Sequence, residues 1–410
     1  MSGDRFSVFA TLLAVSAATW FLFRRKSLHQ PHIRRRAAFD IGSGASKVLV
    51  ADVDVVTGSI VGQPIYEIER PLAFKADSQQ QSDGSLSSKI LEQGLALLAS
   101  LVEKALEHGA QEAHGIATEV FRTAPNGLAF LALVGERSGV NIVTLSQERE
   151  ARLGLATAEA LLGGPRLVHA AWDSGGGSFQ ISARDAGSRE GDSIDSVPLR
   201  TYVGKLGTGP SFHRLTQCQN KTYEPTTVVN PVSEQEASSL VGVLARELPP
   251  PPVWLQGASI VAIGGWNCLF ATALRALRSL VGGAFAVDAA AASGGAHGAA
   301  GSFTLADARR ALSAVCGKTD DELLLVSGSG EEAESPRFVV PKIALLVAIA
   351  SHLGLERIQY VPATGGCAGL MALALGDFTP LVALGSSPRP ELTSNQSSCE
   401  QPNAQRHTNT

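Results

Sequence analysis

The residues best suited to chemistry in this chain form two copies of one short motif, an aspartate followed by a glycine-rich turn. The first copy is Asp40-Ile41-Gly42-Ser43-Gly44, and the second is Asp173-Ser174-Gly175-Gly176-Gly177-Ser178. Glycine turns let backbone N–H groups surround a phosphate, and the neighbouring acid can handle the accompanying metal ion. Two such turns, more than a hundred residues apart in the sequence, predict two half-sites that face each other.

Asp40 and Asp173 each follow an apolar stretch typical of a strand, and from there they could hold Mg²⁺ directly or through its waters. Ser43 and Ser178 could add hydroxyl donors beside the turn amides. Taken singly, each aspartate is more simply a residue that caps a turn. The matched flanks of the two copies favour the functional interpretation.

Two further charged residues are candidates. Arg122 lies in a strand-to-helix passage, where a guanidinium could grip a phosphate, although a solvated helix-terminal charge is the ordinary alternative. Glu150 lies in the first turns of a helix that Ser146 can cap, and a surface ion-pair cluster is its ordinary interpretation. From the residues alone, both alternatives remain open.

Length and composition indicate a folded protein of more than one domain. With 410 residues, 44% of them apolar and 18% charged, the chain can bury a large core and favours two or three domains. Its five cysteines lie far apart with no CxxC pair, which indicates neither a disulfide framework nor a zinc site. The formal charge is -4, and the chain is more acidic still beyond its basic N-terminal cluster. A nucleic-acid partner is therefore not expected.

Residues 1–36 form a separate N-terminal segment. Residues 6–23 are apolar or small throughout and are followed by six arginines and lysines up to residue 36. This pattern predicts a membrane anchor that leaves the globular part in the cytosol, because cationic residues tend to stay on that side. Import into an organelle, a mitochondrion or plastid, is the alternative.

The hydrophobic pattern predicts two related α/β lobes, residues 37–162 and 163–384, and a disordered tail over residues 385–410. Each lobe opens with a strand, a glycine turn and a second strand. The expected strands are 37–40, 47–54, 115–118, 142–145, 167–173, 179–183, 259–263 and 358–362. The expected helices are 86–106, 146–162, 233–247, 305–315 and 341–353.

These motifs resemble the exopolyphosphatase and guanosine pentaphosphate phosphatase family, within the actin, heat-shock chaperone and sugar-kinase superfamily. The resemblance runs from about residue 37 to 375, and its motifs occur in the family's order and spacing. They are residues 40–43 (DIGS), 117–126 (ATEVFRTAPN), 150–153 (EARL) and 173–178 (DSGGGS), with weaker echoes at 263–265 and 353–358.

The resemblance implies an actin-like ATPase (ribonuclease H-like) fold with a cleft between its lobes. It also implies magnesium as cofactor, held at Asp40 and Asp173, and water activated by Glu150. The expected phosphate-binding residues are Gly42, Ser43, Gly44, Arg122, Gly175, Gly176, Gly177, Ser178, Gly264 and Gly265.

The predicted function is a Mg-dependent phosphohydrolase that cleaves phosphoanhydride bonds of inorganic polyphosphate or guanosine polyphosphate. Several positions depart from the family pattern, namely Gly44, Ala45, Phe179, Gln180, Trp266 and the Cys367-Ala368 pair. These departures keep open a non-hydrolytic regulator that binds nucleotide or polyphosphate on the same fold. A sugar or acetate kinase is a third alternative, but its acceptor-activating aspartate is not apparent. A homodimer is also left open.

Overall fold

Two six-stranded mixed sheets, each covered by helices, form the part of the protein that the structure describes. The computed structural model describes residues 32–164, 167–185, 187, 197–224, 226–282, 300–327, 335–373 and 377–381. The predicted α/β class is confirmed over these residues, with one sheet in each of the two predicted lobes. The predicted N-terminal hydrophobic helix and the predicted tail lie outside them.

The first sheet contains an antiparallel meander, β1-β2-β3, and β4 adds to β1 in parallel. β5 continues from β4 in parallel, and β12 pairs antiparallel with the other end of β4. The strands are β1 (Ile33–Ile41), β2 (Ala45–Asp54), β3 (Tyr66–Pro71), β4 (Glu112–Ala117), β5 (Asn141–Thr144) and β12 (Thr379–Pro380).

The second sheet repeats this plan. β6-β7-β8 is again an antiparallel meander, β9 adds to β6 in parallel, and β11 adds to β9 in parallel. β10 closes the edge antiparallel to β11. The strands are β6 (Ala171–Ser174), β7 (Phe179–Arg184), β8 (Leu199–Gly204), β9 (Ser259–Gly264), β10 (Gly301–Thr304) and β11 (Arg357–Pro362).

Five of the twelve α-helices of the described residues begin near predicted places, at residues 86, 146, 233, 305 and 341, and these predictions are confirmed. The other seven helices and the strands β3, β8, β10 and β12 were not expected from the sequence. The helices are α1 (Phe74–Gln80), α2 (Ser88–Glu107), α3 (Glu119–Thr123), α4 (Gly127–Ser138), α5 (Gln147–Leu162), α6 (Thr208–Cys218), α7 (Glu234–Glu247), α8 (Leu269–Ala276), α9 (Leu305–Val315), α10 (Asp320–Ser327), α11 (Val339–Leu353) and α12 (Cys367–Leu373).

Local chemistry explains the start of α5, which matters most for the site. The Ser146 side chain accepts a hydrogen bond from the Arg149 N–H, and Gly163 ends the helix in the left-handed region. One face of α5 contributes Leu153 to a core of the first lobe. Another face contributes Leu155 and Ala158 to a core with strands of the second sheet. Helix α5 therefore packs against both lobes.

The end of the chain returns to the first lobe. The sequence assigns residues 163–384 to the second lobe, whereas α12 packs on α5, β1 and β2, and β12 joins the first sheet. The predicted strand at 167–173 is also shorter, since β6 begins at Ala171. The division after residue 162 otherwise stays a prediction.

One helical stretch in the described residues, Pro336–Leu353, is long and apolar enough to cross a membrane by length and composition. Most of it is buried inside the protein, as expected of a core helix. No finding supports the predicted membrane anchor, whose apolar residues 6–23 lie outside the described part of the chain. The predicted boundary at residue 36 is wrong, because residues 33–36 already belong to β1 and pair with neighbouring strands of the first sheet.

The close packing of α5 against α12 requires a glycine, Gly369, at the contact. A Cβ atom at Gly369 would lie 2.5 Å from Thr157 Oγ1 and 2.7 Å from the Leu153 carbonyl oxygen. We expect Gly369→Ala to lower the free energy of unfolding by about 2 kcal/mol, because the two helices must separate. Urea unfolding measures this difference.

Gly242→Ala is the matched control, since Gly242 is also helical and its nearest neighbour to a new Cβ is 3.7 Å away. It should stabilise the protein by up to about 1 kcal/mol through helix propensity alone. Equal effects of the two substitutions would show that the α5–α12 contact is not tight.

Candidate functional site

A cleft of about 490 Å³ lies between the two sheets. It brings together residues that are far apart in sequence and that the sequence analysis selected as candidates. Those on its wall are Asp40, Gly42, Ser43, Gly44, Glu150, Asp173, Gly175, Gly176, Gly177, Ser178, Gly264 and Gly265. The roles predicted for them stay predictions, but their meeting in one cleft is a feature of the structure.

The two glycine turns have the same hydrogen-bonding geometry. In the first, the Gly42 N–H donates to the Ala45 carbonyl at 2.8 Å. In the second, the Gly175 N–H donates to the Ser178 carbonyl at 2.9 Å. Each donor lies two residues after its aspartate and three before its acceptor, so the repeated motif produces a repeated local structure.

Neighbouring backbone braces both turns. The Ser43 carbonyl accepts from the Lys75 N–H at 2.9 Å, and the Gly176 carbonyl accepts from the Gly209 N–H at 2.9 Å. A Cβ at Gly207 would lie 2.5 Å from the Gly176 carbonyl carbon, so α6 packs directly beneath the second turn. The turns are therefore held in place before any ligand arrives.

The aspartates lie at the junction of the lobes. Asp40 is 7% exposed, and its Oδ2 accepts a hydrogen bond from the Gly366 N–H at 2.8 Å. Burial raises the pKa of Asp173 to about 6; Asp40 adds to the increase, while Lys47 and the Ser174 N–H oppose it. The two carboxylates thus interact across the junction.

Lys47 is a functional candidate that the sequence analysis missed. Strand register places it beside Asp40 on β1 and beside Glu69 on β3. Burial opposes its charge, but Glu69, Asp40 and Asp173 together outweigh burial and raise the pKa of Lys47. A signal existed, because a tight hairpin turn over Gly42–Ala45 pairs Asp40, two residues before the turn, with Lys47, two residues after it.

Glu150 faces the same junction from the first turn of α5. Burial is the main cause that raises its pKa to about 7, and Asp173, Asp40 and Glu119 add to the increase. Arg122 opposes the increase, since its Nη1 lies 2.8 Å from Glu150 Oε1. A carboxylate of this kind exchanges a proton near neutral pH.

Arg122 contacts Glu150 and is not among the described residues that line the cleft. Sequence reasoning expected its guanidinium to grip a phosphate directly. The structure instead places it on the carboxylate predicted to be the base, where it fixes the orientation of that side chain. A direct phosphate contact by Arg122 stays a prediction.

Lys342 is a second cation that sequence reasoning missed. It is 3% exposed on α11, it lines the cleft, and its Nζ donates to the Asn267 carbonyl. It is the one charged residue between Val339 and Ala350. A lysine in so apolar a helix is unusual, and this could have marked it as a functional candidate from the sequence alone. Each lobe therefore contributes a lysine to the cleft.

Of the residues that depart from the family pattern, some lie on the cleft wall and others are packed away from it. Phe179 is fully buried, and its ring packs against Trp172 at 6.4 Å, away from the cleft. Trp266 does not line the cleft in the described residues, and Arg275 stacks on its ring at 4.6 Å. Gln180 does line the cleft, and its Nε2 donates to Ser178 Oγ at 3.3 Å.

Sequence comparison agrees with the motifs. Residues 54–198 match the Ppx/GppA phosphatase family. An uncharacterized protein of Streptomyces coelicolor is 28% identical over 148 residues, which cover 36% of this chain. That match spans 42% of the relative's own length. The resemblance to this family, which the motifs predict, is confirmed.

Two solved structures share the fold. A Ppx/GppA family member of Aquifex aeolicus superposes with a TM-score of 0.58 at 18% identity, over 83% of this chain and 97% of that one. An exopolyphosphatase of Cytophaga hutchinsonii gives 0.60 at 15% identity, over 83% and 98%. At such identities the likeness establishes the fold alone.

The raised pKa of Glu150 makes stability depend on pH. Its ordinary value is 4.5 and its value here is about 7, so folding favours the protonated form. The stability that protonated Glu150 contributes to the folded protein is fully present below pH 4.5 and is lost as pH rises through about 7. In Glu150→Gln the uncharged amide has the shape of the protonated carboxyl group and stays uncharged at every pH. We therefore expect it to gain up to about 3 kcal/mol over the native protein between pH 4 and 8.

Urea unfolding at a series of pH values measures this gain. Glu148→Gln removes an exposed carboxylate two residues away and controls for the loss of one negative charge. A constant difference between Glu150→Gln and the native protein across this range would contradict the assigned burial of Glu150.

Proposed function

Because the chain matches the Ppx/GppA phosphatase family over residues 54–198 and shares its fold, we propose that it is a Mg²⁺-dependent phosphohydrolase. Its substrates would be inorganic polyphosphate or guanosine polyphosphate, cleaved at a phosphoanhydride bond. One observation carries the proposal: Glu150, with a pKa of about 7, lines the same cleft as two braced glycine turns of equal geometry.

The turns supply the phosphate contacts in this proposal. Gly42–Gly44 and Gly175–Ser178 line the cleft from opposite lobes, so a phosphate between them meets backbone amides from both sides. Lys47 and Lys342 add positive charge from the first and second lobe. Gly264–Gly265 faces the Glu69 carboxylate, so we assign it no phosphate contact.

Glu150 is the proposed general base. A carboxylate with a pKa of about 7 is partly ionised at neutral pH and can take a proton from the attacking water. The water oxygen then bonds to the terminal phosphorus, and the bridging P–O bond breaks to release orthophosphate. Arg122 orients Glu150 through the 2.8 Å contact.

The charge of the cleft supports the magnesium requirement. Five carboxylates and two lysines line it, so a polyanionic substrate needs a further cation to enter. Within the described residues, no group of three or more His, Cys, Asp or Glu is placed to hold a metal by itself. Asp40 and Asp173 fit Mg²⁺, which commonly takes one or two carboxylates and completes its shell with water and phosphate. When bound, Mg²⁺ would neutralise phosphate charge.

One observation favours a non-hydrolytic binding protein as the second candidate. Gln180 lines the cleft where the related phosphatases commonly have an acid, so one carboxylate is replaced by an uncharged amide. Such a protein would keep the turns, bind polyphosphate or nucleotide, and release no orthophosphate.

We expect the full chain to release orthophosphate from tripolyphosphate or guanosine pentaphosphate with Mg²⁺, and Glu150→Gln to lower kcat at least about 100-fold. The amide keeps the shape of Glu150 but accepts no proton from water. Malachite-green detection of orthophosphate measures the rates.

Glu148→Gln, on the same helix but exposed, should retain the native rate. Saturable binding without release by the native protein would instead establish the binding protein. Unchanged turnover in Glu150→Gln would refute the assignment of the base.

Magnesium dependence has its own test. We expect EDTA to abolish turnover, and Asp173→Asn to raise the Mg²⁺ concentration at half-maximal rate at least about tenfold, since an amide is a weaker ligand for a hard cation. The Mg²⁺-dependent increase in Tm, measured without substrate, should shift in parallel. Asp321→Asn, an exposed control, should change neither quantity.

A further inference from the structure

Glu69 reaches from β3 of the first lobe to a glycine turn of the second. A Cβ at Gly265 would overlap Glu69 Oε2, so the glycine lets this carboxylate lie directly against the turn. A neighbouring contact on the same strand, between Glu67 and the Thr364 hydroxyl, also joins the two lobes. Strand β3 therefore forms one wall of the cleft and touches the opposite wall.

The turn that Glu69 meets has its carbonyl groups held inside the protein. The Tyr360 hydroxyl donates to the carbonyls of Gly264 and Gly265 at 3.0 and 3.3 Å. The Ala363 N–H also donates to the Gly264 carbonyl at 3.0 Å. In a trans peptide the N–H points opposite to the C=O, so the N–H groups that follow face away from Tyr360. Without Glu69, this turn would suit an anion.

One oxygen of the Glu69 carboxylate lacks a donor. This oxygen, Oε2, is buried and has no hydrogen-bond partner among the described residues. Lys47 faces it across the β2–β3 pair, but the ammonium is shared with Asp40 and Asp173. A buried acceptor without a donor is costly, and a ligand that brings a donor removes that cost.

Phosphate oxygens are acceptors that carry negative charge, so they repel a carboxylate. A hydroxyl or amino group donates to it. Inorganic polyphosphate contains only phosphate groups, whereas a nucleotide also contains ribose hydroxyls and base amino groups. Glu69 therefore distinguishes these two ligand classes at the place where it meets Gly265.

We propose that Glu69 is a specificity-determining residue, which keeps phosphate off the Gly264–Gly265 turn and accepts a hydrogen bond from a hydroxyl or amino donor of the ligand. The site then prefers phosphate compounds that carry such donors over inorganic polyphosphate. This inference rests on the proposed function, because it takes the phosphates to lie between the two glycine turns. It concerns ligand binding, so it can be tested whether or not the bound ligand is hydrolysed.

Tripolyphosphate and guanosine triphosphate are the matched probes, since the nucleoside is their main difference. Calorimetry of the full chain with Mg²⁺ should give a Kd for guanosine triphosphate at least about tenfold lower than that for tripolyphosphate. Glu69→Gln keeps the shape and removes the charge. It should bind tripolyphosphate about tenfold more tightly and bring the two Kd values within about threefold.

Glu119→Gln is the control for the general charge of the cleft. Glu119 also lines the cleft, but its side chain is 44% exposed and paired with Lys75 at 3.4 Å, so solvent screens it. We expect it to change either Kd less than about twofold. A change equal to that of Glu69→Gln would assign the selectivity to total charge and overturn the proposal.

Three other outcomes also overturn it: a native preference for tripolyphosphate, an unchanged Kd ratio in Glu69→Gln, or no saturable binding of either probe. The Tm of Glu69→Gln, measured alongside, verifies that the variant is folded. A native protein that binds with the expected ratio but releases no orthophosphate would refute the proposed hydrolysis and leave the role of Glu69 supported.

Discussion

The site depends on the balance of buried charge around Lys47. Its ammonium lies among three carboxylates, Asp40 and Glu69 on flanking strands and Asp173 on the opposite lobe. Buried carboxylates that lose a cationic partner are strongly destabilising, so this lysine allows acids from two lobes to share one junction. The remaining negative charge of the cleft would repel a polyanion that carries no cation with it.

Packing places these charges at a fixed separation. Helix α5 contacts both sheets, and a Cβ at Gly154 would lie 3.3 Å from Asp173 Cβ. The helix thus brings Glu150 in its first turn and the second-lobe aspartate to one junction. Trp172, fully buried beside Phe270 at 4.9 Å, anchors β6, the strand that carries Asp173. The geometry of the site is therefore a consequence of core packing.

The departures from the family motifs fall into two groups when the contacts are considered. Phe179 and Trp266 pack away from the cleft wall in the described residues, so they alter the core and the surface near the turns. Gly44, Ala45 and Gln180 lie on the wall and change the side chains that a ligand would meet there. Differences of the second kind bear on which ligand the cleft would accept, because the two glycine turns, which are proposed to hold phosphate, keep their shape.

The sequence by itself determined what depends on neighbouring residues. Apolar runs fixed most strands, Ser146 fixed the start of α5, and the repeated aspartate-glycine motif fixed two turns of equal geometry, because each forms within a few residues. Tertiary structure alone decided which distant groups meet. The pairing of Arg122 with Glu150, the reach of Glu69 to the opposite lobe and the return of the chain end to the first sheet join residues through strand register and helix packing. No local pattern encodes those long-range contacts.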